Sequence, residues 1–206
     1  MHAPSESTVR RVGRRQGRSV TREAILASAR RLFAERGFDG ASLRAIAADA
    51  GVDPALVRHF FGGKERVFVA ALELPVDPSV AIPEVIGGEL AGAGARLVGF
   101  FLSVWDDAPK RAPLEAILRS AITDSDAAFA RPLARIVLQP IAEAVGGDEA
   151  ELRACLCASQ ILGLALTRYI LHLEPLASAP APVVADSVGP VLQRYLTGPL
   201  AAAGAA

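Results

Sequence analysis

The side chains of this chain that could do chemistry are cations and hydrogen-bond donors, with no sign of a nucleophile beside a base. Within residues 42 to 64, SLRAIAADAGVDPALVRHFFGGK, fall Ser42, Arg44, Arg58, His59 and Lys64, and upstream Arg10, Arg11, Arg14, Arg15 and Arg18 crowd the first twenty residues. Guanidinium and ammonium groups hold phosphate through charge-assisted hydrogen bonds, so the chemistry indicated is the binding of a polyanion. Bond breaking finds no support. His2 lies in the tail, the other two histidines have no nucleophile or carboxylate at a useful spacing, and the acidic residues fall mostly at predicted helix ends. No metal-ligand spacing occurs either. The segment GAGARLVG at 92 to 99 fits neither the dinucleotide fingerprint nor the P-loop, and it follows no predicted strand. We therefore expect no cofactor and no metal, and an enzyme is the least supported reading.

These donors need elements to position them. Ser42 and Asp53 each supply an oxygen that can cap a helix, and Pro54 sits in a first turn where its missing amide has no partner to lose. Gly51 ends the first of two short helices with a positive φ. Ile46, Ala50, Val52, Val57 and Phe60 are spaced to face inward, and Ala47 is small enough for the two helices to cross closely. The pattern predicts a helix-turn-helix, whose second helix lies in the major groove of double-stranded DNA. Such a helix turns its N-terminal residues to base edges, here Pro54, Ala55 and Leu56, none of which has a side-chain donor. Readout would then rest on thymine methyl groups, on Arg44 reaching a guanine, on Arg58, and on DNA shape. Before the motif, TREAILASARRLFAERGFDGAS predicts one helix with Ile25, Leu26, Ala29, Leu32 and Phe33 on a single face, stopped by Gly37; after it, Val67, Phe68, Ala71 and Leu72 face inward from a helix opened by Lys64.

Over Thr21 to Leu72 these residues resemble the TetR-type one-component regulators. The likeness is carried by the RGF ending of the long helix, by Ile46, Ala47, Ala50, Gly51 and Val52, and by His59, Phe61, Gly62 and Lys64. It implies that Ser42, His59 and Lys64 contact phosphates, together with helix N-terminal amides. The family usually has a Tyr at the position of Arg58, where it meets a phosphate; arginine keeps a charge-assisted contact and loses the ring. The resemblance also implies a body that encloses a small-molecule effector, with Phe100, Phe101, Trp105, Ile117, Tyr169 and His172 as apolar or aromatic lining and Gln160, Thr167 and Arg168 as polar contacts. His172 and Arg168, four residues apart on one predicted helix, would share a face. The last two long helices, about 148–173 and 183–197, would pair across a two-fold axis to make a homodimer. Steric blocking of a promoter makes repression the expected outcome of operator binding.

The chain has 206 residues, 51% of them hydrophobic, and its charge sums to zero, with a mean hydropathy of +0.33. That is enough apolar matter for a substantial core. The zero conceals a split: residues 1 to 66 hold 13 Lys+Arg against 7 Asp+Glu, and the remainder hold 9 against 15. A basic head on an acidic body suits a DNA-binding module joined to a sensor or dimer domain. We expect a basic disordered arm over 1–20 that tracks phosphates or enters the minor groove, a DNA-binding domain over 21–72, and an all-α ligand-binding and dimerisation body over 73–206. The stretch 73 to 88, with three prolines and a Gly pair, reads as the link, with one short helix around Ile82 to Ile86.

Helices are predicted at 90–106, 111–122, 126–145, 148–173 and 183–197, the third kinked or divided by Pro132 and Pro140, the fourth capped by Asp148 with Glu151 and packed closely through Ala158, Gly163 and Ala165. Cys155 and Cys157 stand about 200° apart around a helix, share neither disulfide nor metal, and read as small core residues in a reducing cytosol. No apolar run approaches the roughly 18 residues of a membrane span, so a cytoplasmic protein is expected. A helical dimer that binds another protein instead of DNA is the alternative from a different class.

Overall fold

The computed structural model describes residues 7–123, 129–147 and 149–200, with side chains over 19–121, 129–147 and 149–200. Among these residues the secondary structure is helical with no strand. The chain forms two compact units, Met1–Glu73 and Leu74–Ala206.

The first unit contains α1 (Ser7–Gly40), α2 (Leu43–Asp49), α3 (Pro54–Phe61) and α4 (Lys64–Ala71). Helix α1 carries the expected face, with Ile25, Leu26, Ala29, Leu32 and Phe33 all buried, and it breaks at Gly37, whose φ of 67° and ψ of 175° are not helical. The break turns Phe38 back onto the helix. Phe33, Phe38 and Phe68 then form a ring triangle, with Phe68 edge-on to both at 5.2 and 5.0 Å and the other two stacked at 5.7 Å. Two arginines of α1 tie the other helices down. Arg30 donates to the Ala71 carbonyl at the end of α4 and to Glu23 and Glu73, while Arg31 pairs with Asp49 of α2.

One expectation is corrected at the N-terminus. The segment expected to be a disordered arm is helical from Ser7 and continuous with α1. An anchored helix extends at one backbone bond per residue fixed, and Arg, Gln and Ser tolerate that conformation. The side chains of Arg14, Arg15 and Arg18 lie outside those described, so nothing is placed for them.

The second unit holds α5 (Pro78–Ile86), α6 (Ala93–Trp105), α7 (Ala108–Thr123), α8 (Ala130–Val145), α9 (Ala150–Ala165) running into a π-helical turn (Leu166–Ile170), and α10 (Ala181–Thr197). Much of the stretch read as a link is therefore helix α5, started by Asp77, whose carboxylate accepts from the Ser79 amide at 3.0 Å. Its Ile82 and Ile86 are buried in the body core. Arg96 fixes the end of α5 and the following loop by donating to the carbonyls of Val85, Ile86, Glu89 and Ala91.

The core is organised around the crossing of α6 and α10. A methyl on Gly94 would stand 2.3 Å from the Gly189 carbonyl oxygen, and one on Gly189 would stand 3.0 Å from the Ala95 Cα, so the two backbones touch. Only glycine fits there. The Gln193 side chain locks the crossing, accepting from the Gly94 amide at 3.1 Å and donating to the Leu90 carbonyl at 2.9 Å.

Several body expectations change. Helix α8 is not divided: Pro132 is its third residue, where no amide partner is lost, and the helix continues through Pro140. The Asp148 cap lies outside the described residues. Gly163 is exposed with nothing within 4 Å of a Cβ placed on it, so no close helix approach occurs there among the described residues. Cys157 is buried as expected, and Cys155 is exposed, because two positions 200° apart on one helix cannot both face one core. Finally, Ala150–Ile170 reaches a mean hydropathy of 1.2 and is long and apolar enough by composition to cross a membrane, contrary to the sequence expectation. One side of it, including Ala154, Cys157, Leu164, Ala165 and Tyr169, is built into the body core.

A candidate nucleic-acid interface

Helix α2 starts at Ser42, whose Oγ accepts from the Ala45 amide at 3.1 Å. That hydroxyl keeps its proton, so the same side chain can cap the helix and donate to a phosphate. The turn closes by the Val52 amide donating to the Ala47 carbonyl at 2.9 Å, with Gly51 at φ 67°. Asp53 Oδ1 then accepts from the Ala55 amide at 2.7 Å, and Pro54 opens α3. Ile46, Ala47 and Val57 are fully buried beneath.

At the far end of α3 the structure departs from the sequence reading. Phe61 is the buried ring and Phe60 is only half-buried, because Phe61, four residues after the buried Val57, shares its face of α3. Ala50 and Val52, also expected inside, are half-buried.

Above this scaffold Pro54, Ala55, Arg44, Arg58 and His59 are exposed and Leu56 is half-exposed. Among the described residues the guanidiniums of Arg44 and Arg58 have no hydrogen-bond or ion-pair partner. The His59 ring sits edge-on to Phe60 at 5.7 Å. Lys64 is partly engaged: its amine lies 4.4 Å from the centre of the Phe38 ring and 3.4 Å from the Asp39 carbonyl oxygen. The surface thus combines an apolar tip, a hydroxyl free to donate and unneutralised guanidiniums. It can hold a phosphate backbone and reach into a groove.

In the second unit the residues named as effector contacts divide. Phe101, Trp105 and Tyr169 pack together, with ring centres 5.3 to 6.1 Å apart. Arg168 joins them as a buried guanidinium, donating to the Leu176 and Ala179 carbonyls at 2.6 and 2.8 Å and standing 3.4 Å from Asp106. Phe100 is half-buried against the same core. Ile117 is half-buried but outside that core, where its neighbours Leu114 and Leu118 lie. Gln160 is half-buried, and Thr167 bonds back to the Gly163 carbonyl at 2.7 Å.

His172 does not share a face with Arg168. The π turn, closed by the Leu171 amide on the Leu166 carbonyl, ends the helix, and His172 is exposed at φ 50°. Asp106, unremarked in the sequence, accepts the Tyr169 hydroxyl at 2.7 Å. Burial, then this carboxylate, pushes that hydroxyl up to about 12.

Residues 25–71 match the family described as "Bacterial regulatory proteins, tetR family", and residues 91–196 match "Tetracyclin repressor-like, C-terminal domain". The repressor AcnR of Corynebacterium efficiens is 42% identical over 50 residues, 24% of this chain and 27% of its own length. The regulator BetI of Brucella abortus is 37% identical over 70 residues, 32% of this chain and 35% of its own. The chain thus aligns with about a third or less of these relatives. A TetR-family regulator of Streptomyces coelicolor A3 is similar over nearly its whole length, at 46% identity, with 86% of this chain and 95% of that chain covered and a TM-score of 0.52. A capped helix-turn-helix bearing unneutralised arginines is what such a regulator presents to DNA, and with a family match in each of its two units, the protein belongs to the TetR family of helix-turn-helix transcriptional regulators.

Proposed function

We propose that the chain works as a homodimeric cytoplasmic repressor that grips a two-fold symmetric operator and is released from it by a small molecule held in the body. The observation that supports the dimer is the outward face of the last two long helices. On α9, Leu152 and Leu162 are 52% and 53% exposed, and on α10, Val183 and Val191 are 55% and 38% exposed. Positions 152, 155, 159, 162 and 166 alternate steps of three and four, the spacing of a helix-bundle seam. Those positions carry Leu, Cys, Ser, Leu and Leu, and the large apolar ones in water favour burial against a second copy. Two heads then address half-sites about 34 to 36 Å apart.

The effector reading rests on the ring group Phe101, Trp105 and Tyr169 beside the buried Arg168. Such a lining suits an apolar or mixed compound with an acceptor group. The test is sedimentation of the chain and of Leu162→Glu, followed by footprinting on DNA from upstream of its own gene. A dimer that becomes a monomer in the variant, and a protected palindrome, are the expected results. A monomeric wild-type chain that protects no DNA at low salt would reject the reading.

A further inference from the structure

We propose that Arg22 and Arg66, neither part of the sequence-derived interface, form a clamp for a DNA backbone phosphate at the C-terminal end of α3. The inference rests on the helix-turn-helix being the DNA-binding element. Two helices deliver cations to one turn. From α1, the Arg22 guanidinium lies 5.2 Å from the centre of the Phe61 ring, and from α4, Arg66 places a guanidinium nitrogen 3.6 Å from where a Gly62 Cβ would stand. Phe61 and Gly62 are consecutive, so both cations border the turn that ends α3.

Both side chains are exposed, and among the described residues neither has a hydrogen bond or ion pair. They share that with Arg44 and Arg58, while other arginines of the unit are paired. Arg30 is neutralised by Glu23 and Glu73, and Arg31 by Asp49. The acid nearest in sequence, Glu65, forms no ion pair among the described residues and turns back to Gly63, with Oε2 3.4 Å from where a Cβ there would stand. Lys64, the cation expected to meet phosphate here, leans on Phe38 and the Asp39 carbonyl. Like charges gathered without a counter-charge repel one another, and a polyanion relieves that cost.

The geometry fits a phosphate. A guanidinium stacked on an aromatic face keeps its N–H edges free and loses little rotamer entropy on binding, which suits bidentate contact with phosphate oxygens. Helix α3 has eight residues, about 12 Å at 1.5 Å per residue, which matches the roughly 12 Å width of the major groove. When α3 lies across the groove, its end meets the wall where phosphates run. Such a contact fixes register and adds affinity without reading sequence.

The experiment uses the full chain and its Arg22→Ala, Arg66→Ala and Arg22→Lys variants. Fluorescence anisotropy is measured on a duplex from upstream of the gene and on an unrelated duplex of equal length, at several salt concentrations, with circular dichroism as the check on folding. Each alanine variant should weaken both duplexes by the same factor, several-fold, and flatten the salt dependence of log K by about one unit. Arg22→Lys should keep the slope and lose part of the affinity. If the wild-type chain shows a steep slope and the alanine variants match it in both affinity and slope, the clamp is refuted. If only the upstream duplex is weakened, the contact is to bases and the phosphate assignment is wrong. A wild-type chain that binds neither duplex at low salt removes the DNA-binding premise, and the clamp with it.

Discussion

Tyr169 donates its hydroxyl proton to Asp106 Oδ1 at 2.7 Å, joining the π turn after α9 to the end of α6 across 63 residues of sequence. Burial is the larger cause of the raised Tyr169 value and the neighbouring carboxylate the second. The folded state therefore disfavours tyrosinate. Stability from this group is full below the ordinary value of 10 and declines as pH rises towards about 12. Absorbance titration should show a late step at about 12 from Tyr169. Tyr169→Phe should remove the late step and lower stability by about 1 to 3 kcal/mol, since Asp106 loses a hydrogen bond. A late step that persists in Tyr169→Phe would contradict the contact.

The cysteines should separate by reactivity. Burial pushes the Cys157 thiol up to about 11, whereas Cys155 is exposed. At pH 8 a thiol reagent should label one cysteine in the folded Leu162→Glu monomer and two in denaturant, Cys155→Ser should abolish the native signal, and the dimer should label Cys155 more slowly because its seam includes that position. Rapid labelling of both in the folded chain would overturn the placement of Cys157.

Arg31 and Asp49 make the acid limb of the stability profile predictable in sign. Hydrogen bonds from Arg31 and Ser28 hold the Asp49 carboxyl below its ordinary 3.8. Its contribution is present above that value and lost as pH falls through the lower folded one. Asp49→Asn should therefore lower the thermal midpoint at pH 7 and have a smaller effect near pH 2. Equal effects at both pH values would show that the pair is not coupled to folding. Both groups are exposed, so a small shift is expected.

Two glycines in one helix should answer oppositely to alanine. At Gly94 the added methyl meets the Gly189 carbonyl oxygen at 2.3 Å, so α6 and α10 must move apart; Gly94→Ala should destabilise by about 1 to 3 kcal/mol or more. At Gly99, also in α6, nothing lies within 4 Å. Gly99→Ala should stabilise by about 0.5 to 1 kcal/mol. Denaturant titration of both variants tests the crossing, and a stable Gly94→Ala chain would mean the helices do not touch there.

Much of the head could be read from the sequence because its determinants are local. Ile25, Leu26, Ala29, Leu32 and Phe33 repeat at helical spacing, and Ser42, Asp53, Pro54 and Gly51 each act within three residues. What escaped depends on distant partners or on how a helix ends. Phe60 and Phe61 are equally apolar, and the helix reaching as far as Phe61 puts that ring on the face of the buried Val57. The π turn adds a residue to the last turn of α9 and removes His172 from the face of Arg168, a choice set by Asp106, Leu176 and Ala179. Arg22 and Arg66 are 44 positions apart in the numbering, and no spacing rule brings one to the Phe61 ring and the other to Gly62.

The Gly94–Gly189 contact has a mechanical consequence. Two backbones in contact at a point resist compression, yet they oppose rotation about that point weakly, since no side chains interdigitate there. Gln193 fastens the near end of α6 to α10, and Asp106 lies twelve residues further along, about 18 Å at 1.5 Å per residue. A swing of about five degrees at the glycines would carry Asp106 by roughly 1.5 Å over that arm. That is enough to break its 2.7 Å bond to Tyr169, and what holds the arm against such a swing is the buried packing of Leu97, Val98, Phe101 and Trp105 along α6.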